Sequence, residues 1–128
     1  MSKHMEKAME LRACVSRHYN CAQSVLVAFS DVTGLSEEQA MSVAASFGAG
    51  MKRGEVCGAI SGGLMVLGFL GKDDPATILE LFEKIKNENG NCYTCKDLNR
   101  YGQSQGILRK PQCDGLVYSI VEFLDELI

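Results

Sequence analysis

Cysteine placement carries most of the chemical information in this 128-residue chain. Cys21, Cys57 and Cys113 each stand where the sequence predicts the start of a helix, and Cys95 opens a further helical turn. The first turn of a helix has unpaired N–H groups and the positive end of the dipole. A thiolate there is stabilised, and its pKa can fall from about 8.5 into the ~3.5–7.5 range. The thiolate is both the nucleophile of disulfide exchange and the ligand of soft metals. These positions therefore offer the setting that redox or metal chemistry requires.

The segment Cys57-Gly58-Ala59-Ile60-Ser61-Gly62-Gly63 sharpens the point. Glycine costs a helix about 1 kcal/mol relative to alanine, so three in six positions need a reason. If Cys57 begins a helix, Gly58, Ala59 and Gly62 clear the space beside its sulfur. A bound group or the backbone of another helix can then come close. The plainer reading is helix packing through small residues, with Cys57 as a small buried apolar side chain.

Other candidates carry less. Cys92-Tyr93-Thr94-Cys95 is a C-x-x-C without the βαβ surroundings of a thioredoxin, and Lys96 replaces the histidine of a haem-attachment motif. No second C-x-x-C or histidine pair completes a zinc knuckle. Cys14 and His18 are one helical turn apart, a spacing that allows a shared metal and equally a core thiol beside an unrelated histidine. The loop Gly48–Gly54 offers amides and the cations Lys52 and Arg53 ahead of a helix, as a phosphate cradle does. It lacks a leading strand and the P-loop ending.

The elements that must hold these cysteines are helical almost throughout, since no run alternates with period two. Ala8, Leu11, Val15 and His18 share one face of a first helix. Asn20 is the expected N-cap of a second, lined by Cys21, Val25, Ala28, Phe29 and Val32 and ended by Gly34. Ser36 and Gln39 form a capping box for a third, running to about Phe47. Cys57 to Leu70 reads as a helix. Asp74-Pro75 opens the next, with Glu80 and Lys84 paired on its wet side. Residues 92–112 read as irregular, with one turn near Cys95–Asn99. The last helix is expected from Cys113-Asp114, with Val117, Ile120, Val121, Leu124 and Leu127 on its apolar face. The sum is an all-α bundle of five or six short helices forming a single domain over residues 1–128.

Composition narrows the function. Six cysteines in 128 residues fall below the ~8–10% of a disulfide scaffold, and 46% apolar content supplies a core. The first 18 residues are charged throughout, without a leader's apolar segment. The apolar stretch Leu64–Leu70 is too short to span a bilayer. The expected setting is the reducing cytoplasm, where cysteines serve metals or chemistry more often than cross-links. A net charge of −3 gives no electrostatic footprint for nucleic acid. The small-residue helix faces are compatible with a homodimer.

With these residues in view, the chain resembles the C_GCAxxG_C_C family, described as redox-active and named for its cysteine pattern. The motif stands as Cys57-Gly58-Ala59-Ile60-Ser61-Gly62. Cys21 matches the first cysteine, within Tyr19-Asn20-Cys21-Ala22-Gln23-Ser24-Val25, and Cys113 the last. Cys95, in Cys95-Lys96-Asp97-Leu98, best matches the third, with Cys92 as its rival; Cys14 lies outside the pattern. A related domain accompanies split-Soret cytochromes, where iron–sulfur is implied. The resemblance thus implies a cluster held by Cys21, Cys57, Cys95 and Cys113, serving electron transfer or redox sensing with an unidentified partner, zinc being the second choice. Two other readings stand beside it. One is metal-free thiol exchange with Cys57 as nucleophile and Cys21 or Cys113 as resolving thiol. The other is a structural or ligand-binding helical module. The first reading places Gly58, Ala59 and Gly62 against the cofactor, and the third gives the glycine-rich loop an anion or a partner helix to bind.

Overall fold

The segment Cys21–Ala28 lies at the centre of the packing, with five other helices against it. In the computed structural model, which describes all residues from Met1 to Ile128, the chain forms eight α-helices: α1 (Lys3–Ala13), α2 (Cys21–Ala28), α3 (Ser30–Thr33), α4 (Glu37–Ala44), α5 (Gly58–Leu70), α6 (Pro75–Glu88), α7 (Cys95–Ser104) and α8 (Arg109–Glu126). From Ala22 to Ala28, α2 is buried on every side, and its two polar side chains, Gln23 and Ser24, donate to the Met41 and Asn20 carbonyls. It packs most extensively on α5 and also touches α1, α4 and α8. Phe29, Leu26, Ile60, Leu67, Leu81, Ile85 and Ile120 form the fully enclosed centre.

The caps follow the sequence. Asn20 and Gln23 close a capping box on α2, and Ser36 and Gln39 close one on α4. Asp74 caps α6 ahead of Pro75. Gly34 and Gly71 end α3 and α5 in the left-handed conformation.

Several expectations are corrected. α1 stops at Ala13, so Val15 is fully exposed and His18 is exposed beyond the helix end. The second helix breaks at Phe29, the C-cap of α2, before α3 resumes. The third ends at Ala44 rather than Phe47. Lys84 does not pair with Glu80. It reaches Glu88 at 3.1 Å and Glu122 of α8 at 2.8 Å, because α8 lies alongside α6 and offers a carboxylate across the interface.

The largest difference lies between residues 92 and 112. Thr94 caps a ten-residue helix there, α7, which the weakly apolar sequence conceals. Only Leu98 and Gly102 of it are buried. Gln112 holds it down, donating to the Leu98 carbonyl at 3.0 Å and to Asn89 Oδ1 at 3.3 Å. A Cβ on Gly102 would come within 2.8 Å of that Gln112 side chain.

Candidate functional site

The cysteines come from four separate elements. Cys21 is the first residue of α2, Cys57 the N-cap of α5 and Cys95 the first residue of α7. Cys113 is not at a helix start. α8 begins four residues earlier, at Arg109, so Cys113 sits in its second turn. This register places Arg109 and Cys113 one turn apart on the same face.

Two backbone clips bring the elements together. The Cys57 amide donates to the Tyr93 carbonyl at 3.0 Å, and the Cys95 amide donates to the Glu55 carbonyl at 2.6 Å. Between them, Val56 and Thr94 form a single antiparallel bridge. On the other side, α2 approaches α5 closely enough that a Cβ on Gly58 would lie 2.9 Å from the Phe47 carbonyl oxygen and 3.2 Å from Cys21 Cβ. A Cβ on Gly62 would lie 2.8 Å from the Ala22 carbonyl oxygen. Ala59 is fully buried. The space that the missing side chains of Gly58 and Gly62 leave is thus occupied by α2 and by the Phe47 carbonyl. Gly63 is used likewise, against Ile120 and Leu81.

The four sulfurs share one electrostatic neighbourhood. Cys21 feels Cys57 and Cys113, Cys57 feels Cys95 and Cys113, and Cys95 feels Cys113. Their acidities diverge. The Cys113 thiol is lowered to about 6, first by the hydrogen bond from Cys21 and then by the Arg12 and Arg109 guanidiniums, against the opposing effect of burial. Cys21 is raised well above its ordinary value by the same hydrogen bond and by burial. Burial pushes Cys57 up to about 11, against the pull of the Ile60 and Ala59 amides. Cys95 is also raised, chiefly by burial. The expectation of Cys57 as the acidic thiol thus meets its opposite: its helix-start amides are present, but desolvation of a fully enclosed sulfur outweighs them.

Three polar residues organise this region and carried no weight in the sequence. Arg12 donates through Nε to Asp114 at 2.7 Å and through a terminal nitrogen to the Tyr19 carbonyl at 2.9 Å. Nothing local to α1 announces this contact. Arg109 could have been found by starting α8 at its true first residue. Asn99 lies one turn beyond Cys95, with its amide nitrogen 3.4 Å from Cys95 Sγ and its oxygen 3.8 Å from Cys113 Sγ.

Cys14 and Cys92 stand apart. Cys14 contacts Ser16 Oγ at 3.4 Å and Cys92 contacts the Gly90 carbonyl, so Cys95 and not Cys92 joins the group. All six thiols are free. The family described as "Putative redox-active protein (C_GCAxxG_C_C)" matches residues 19–127. The chain belongs to this family. No curated protein and no solved structure matches it. The family's cysteine pattern spans the residues that the fold draws together.

The all-sulfur donor set has the softness that iron–sulfur clusters and zinc favour. In this structure no three His, Cys, Asp or Glu side chains are grouped to hold a metal ion. The Cys14–His18 pair is likewise not assembled, since α1 ends before either residue. No helix is long and apolar enough to cross a membrane.

Proposed function

We propose that this chain is a dithiol redox protein in which Cys113 is the attacking thiolate and Cys21 the resolving thiol. What supports this reading is the linked ionisation of Cys21 and Cys113, which pulls Cys113 down and Cys21 up, together with Arg12 and Arg109 beside Cys113 and Asn99 Oδ1 3.8 Å from its sulfur. A thiolate near neutral pKa attacks disulfides efficiently, since it is ionised yet keeps its nucleophilicity. The Cys113 thiolate attacks a disulfide of a partner and expels one partner sulfur as a thiolate. Cys21 then loses its proton to that thiolate and attacks the Cys113 sulfur. A Cys21–Cys113 disulfide forms, the second partner sulfur leaves and takes a proton from solvent, and two electrons have passed to the partner.

The test is peptide mapping after oxidation in a thiol–disulfide buffer. The expected product is a Cys21–Cys113 bridge, and Cys21→Ser is expected to accumulate a mixed disulfide on Cys113. Oxidation that yields no such bridge overturns the reading. So does anaerobically purified protein that releases iron and acid-labile sulfide in stoichiometric amounts, which would return the four cysteines to a cluster.

A further inference from the structure

Beside the cysteines lies an open cleft of about 590 Å³, within the size range of small-molecule sites. Lys52, Lys96, Arg100 and Arg109 line it, together with Cys95 and Asn99, and no carboxylate does. Lys52, Lys96 and Arg109 form no ion pair anywhere, and Arg100 has only Asp97 at 4.0 Å. This is a local reversal in a chain of net charge −3. A cleft lined by one sign of charge concentrates ligands of the other and raises their association rate by roughly 10–10³.

One wall has an unusual build. Ala49, Gly50, Met51 and Lys52 all have positive φ, between 52° and 63°, so the chain makes a left-handed turn. Left-handed backbone is strained for each non-glycine residue there. Gly50 is required, since a Cβ would meet the Glu55 amide nitrogen at 2.5 Å. The turn brings Lys52 to the cleft opposite α7, which supplies Lys96, Cys95 and Arg100.

We propose that this cleft binds an anionic low-molecular-weight thiol compound and that its disulfide form exchanges with Cys95. The proposal rests on the thiol-exchange reading above and names its substrate class. Negative groups of the ligand meet the four cations, and its sulfur meets the one cysteine that lines the cleft. The Cys95 sulfur attacks one sulfur of RSSR. A Cys95–S–S–R bond forms, the S–S bond of the ligand breaks, and the proton of Cys95 leaves on RSH. Asn99, in contact with both sulfurs, places this mixed disulfide next to Cys113.

The reduced full-length protein is reacted with four disulfides: glutathione disulfide (carboxylate-bearing), coenzyme A disulfide (phosphate-bearing), 2-hydroxyethyl disulfide (neutral) and cystamine (cationic). The adduct site is mapped by mass spectrometry. At least one anionic disulfide is expected to modify Cys95 ten times faster or more than the neutral one, with cystamine slowest, and the advantage is expected to shrink as salt rises. The two anionic arms tell carboxylate from phosphate. In Lys52→Ser/Arg100→Ser the anionic-to-neutral ratio is expected to fall towards one. Equal rates for all four, or adducts on Cys14, Cys92 or Cys113 in place of Cys95, overturn the proposal. Calorimetry of Cys95→Ser with S-methylglutathione and with coenzyme A separates the two readings. Binding of neither ligand defeats the cleft while leaving Cys21–Cys113 exchange intact. Salt-sensitive binding without any Cys21–Cys113 bridge in the wild type defeats the exchange reading instead.

Discussion

Arg12 Nε donates to Asp114 Oδ1 at 2.7 Å, tying the last turn of α1 to the second turn of α8. Lys110 reinforces the joint by donating to the Arg12 carbonyl at 2.9 Å and to both oxygens of Asp114. Replacing Arg12 by methionine keeps the aliphatic stem but leaves the Tyr19 carbonyl and Asp114 short of a donor. The expected loss is roughly 1–3 kcal/mol, read from urea unfolding. The same variant is expected to raise the Cys113 inflection, followed by thiolate absorbance. Arg12→Lys should restore part of the second effect and less of the first, since it keeps the charge but not the planar fork.

The acidity of Cys113 has a kinetic signature. With a value of about 6, its alkylation by iodoacetamide should be half-maximal near pH 6 and level by neutrality. Cys21→Ala removes the largest stabiliser of the thiolate, so the inflection is expected to move up towards that of an ordinary thiol. An unchanged profile in Cys21→Ala would show that the hydrogen bond is not its source.

Folding stability should follow pH through the same groups, with opposite signs. Cys113 is lowered from 9.0 to about 6 in the folded state. Its contribution is complete above pH 9 and is lost as pH falls towards 6, where the unfolded chain binds a proton that the folded one does not. Cys57 is raised from 9.0 to about 11. Its contribution is complete below pH 9 and is lost as pH climbs through 11. Urea midpoints measured across this range should lose much of their acid-side slope in Cys113→Ala and show a shallower alkaline decline in Cys57→Ala, the remainder coming from Cys21 and Cys95, which are raised as well.

Three glycines of α5 give an internally controlled comparison. Gly62→Ala sets a methyl 2.8 Å from the Ala22 carbonyl oxygen and 3.0 Å from Val25 Cβ. Overpacking of this kind typically costs about 1–3 kcal/mol. Gly58→Ala also presses on Cys21 Cβ, so it is expected to shift the titration of the Cys21–Cys113 pair as well as to destabilise. Gly68→Ala meets nothing within 4 Å and should instead stabilise, by up to about 1 kcal/mol. Thermal unfolding of the three variants checks the order.

His4 is the anchor of the amino-terminal helix. It is buried, with Nδ1 2.7 Å from Asp125 and Nε2 2.9 Å from Asp31, and its ring stacks on Phe29 at 4.1 Å. His4→Ala removes hydrogen bonds to charged partners, each worth roughly 1.5–3 kcal/mol. The expected result is loosening of α1 before global unfolding, measured as faster amide exchange over residues 3–13.

The helices that were legible in the sequence are those whose ends carry short-range chemistry. Asn20 with Gln23, Ser36 with Gln39, and Asp74 with Pro75 act on their own neighbours, so spacing alone exposes them. α7 was hidden because it rests on α8 through Leu98, Gly102 and the distant Gln112, and presents a largely polar surface. α8 starts four residues ahead of the expected Cys113 and takes Pro111 into its first turn. Within the first turn its absent N–H is one that would lack a helical partner anyway. The cysteines themselves were legible from their helix positions and the family resemblance. Their division into one acidic and three reluctant thiols was not, because it depends on burial and on Arg12, which act only in the assembled fold. Val15 and His18 kept a helical period beyond the point where α1 ends, so periodicity placed them on a face that does not exist.

The reciprocal amide clips around Val56 and Thr94 have an evolutionary consequence. They weld the flank of Cys57 to that of Cys95, so the excursion through α5 and α6 is closed at its root. The turn around Gly71–Asp74 can lengthen or shorten at the far end without altering the spacing of the two sulfurs. A single-residue insertion between Tyr93 and Cys95 has no such freedom, since the two clips can then no longer be made together.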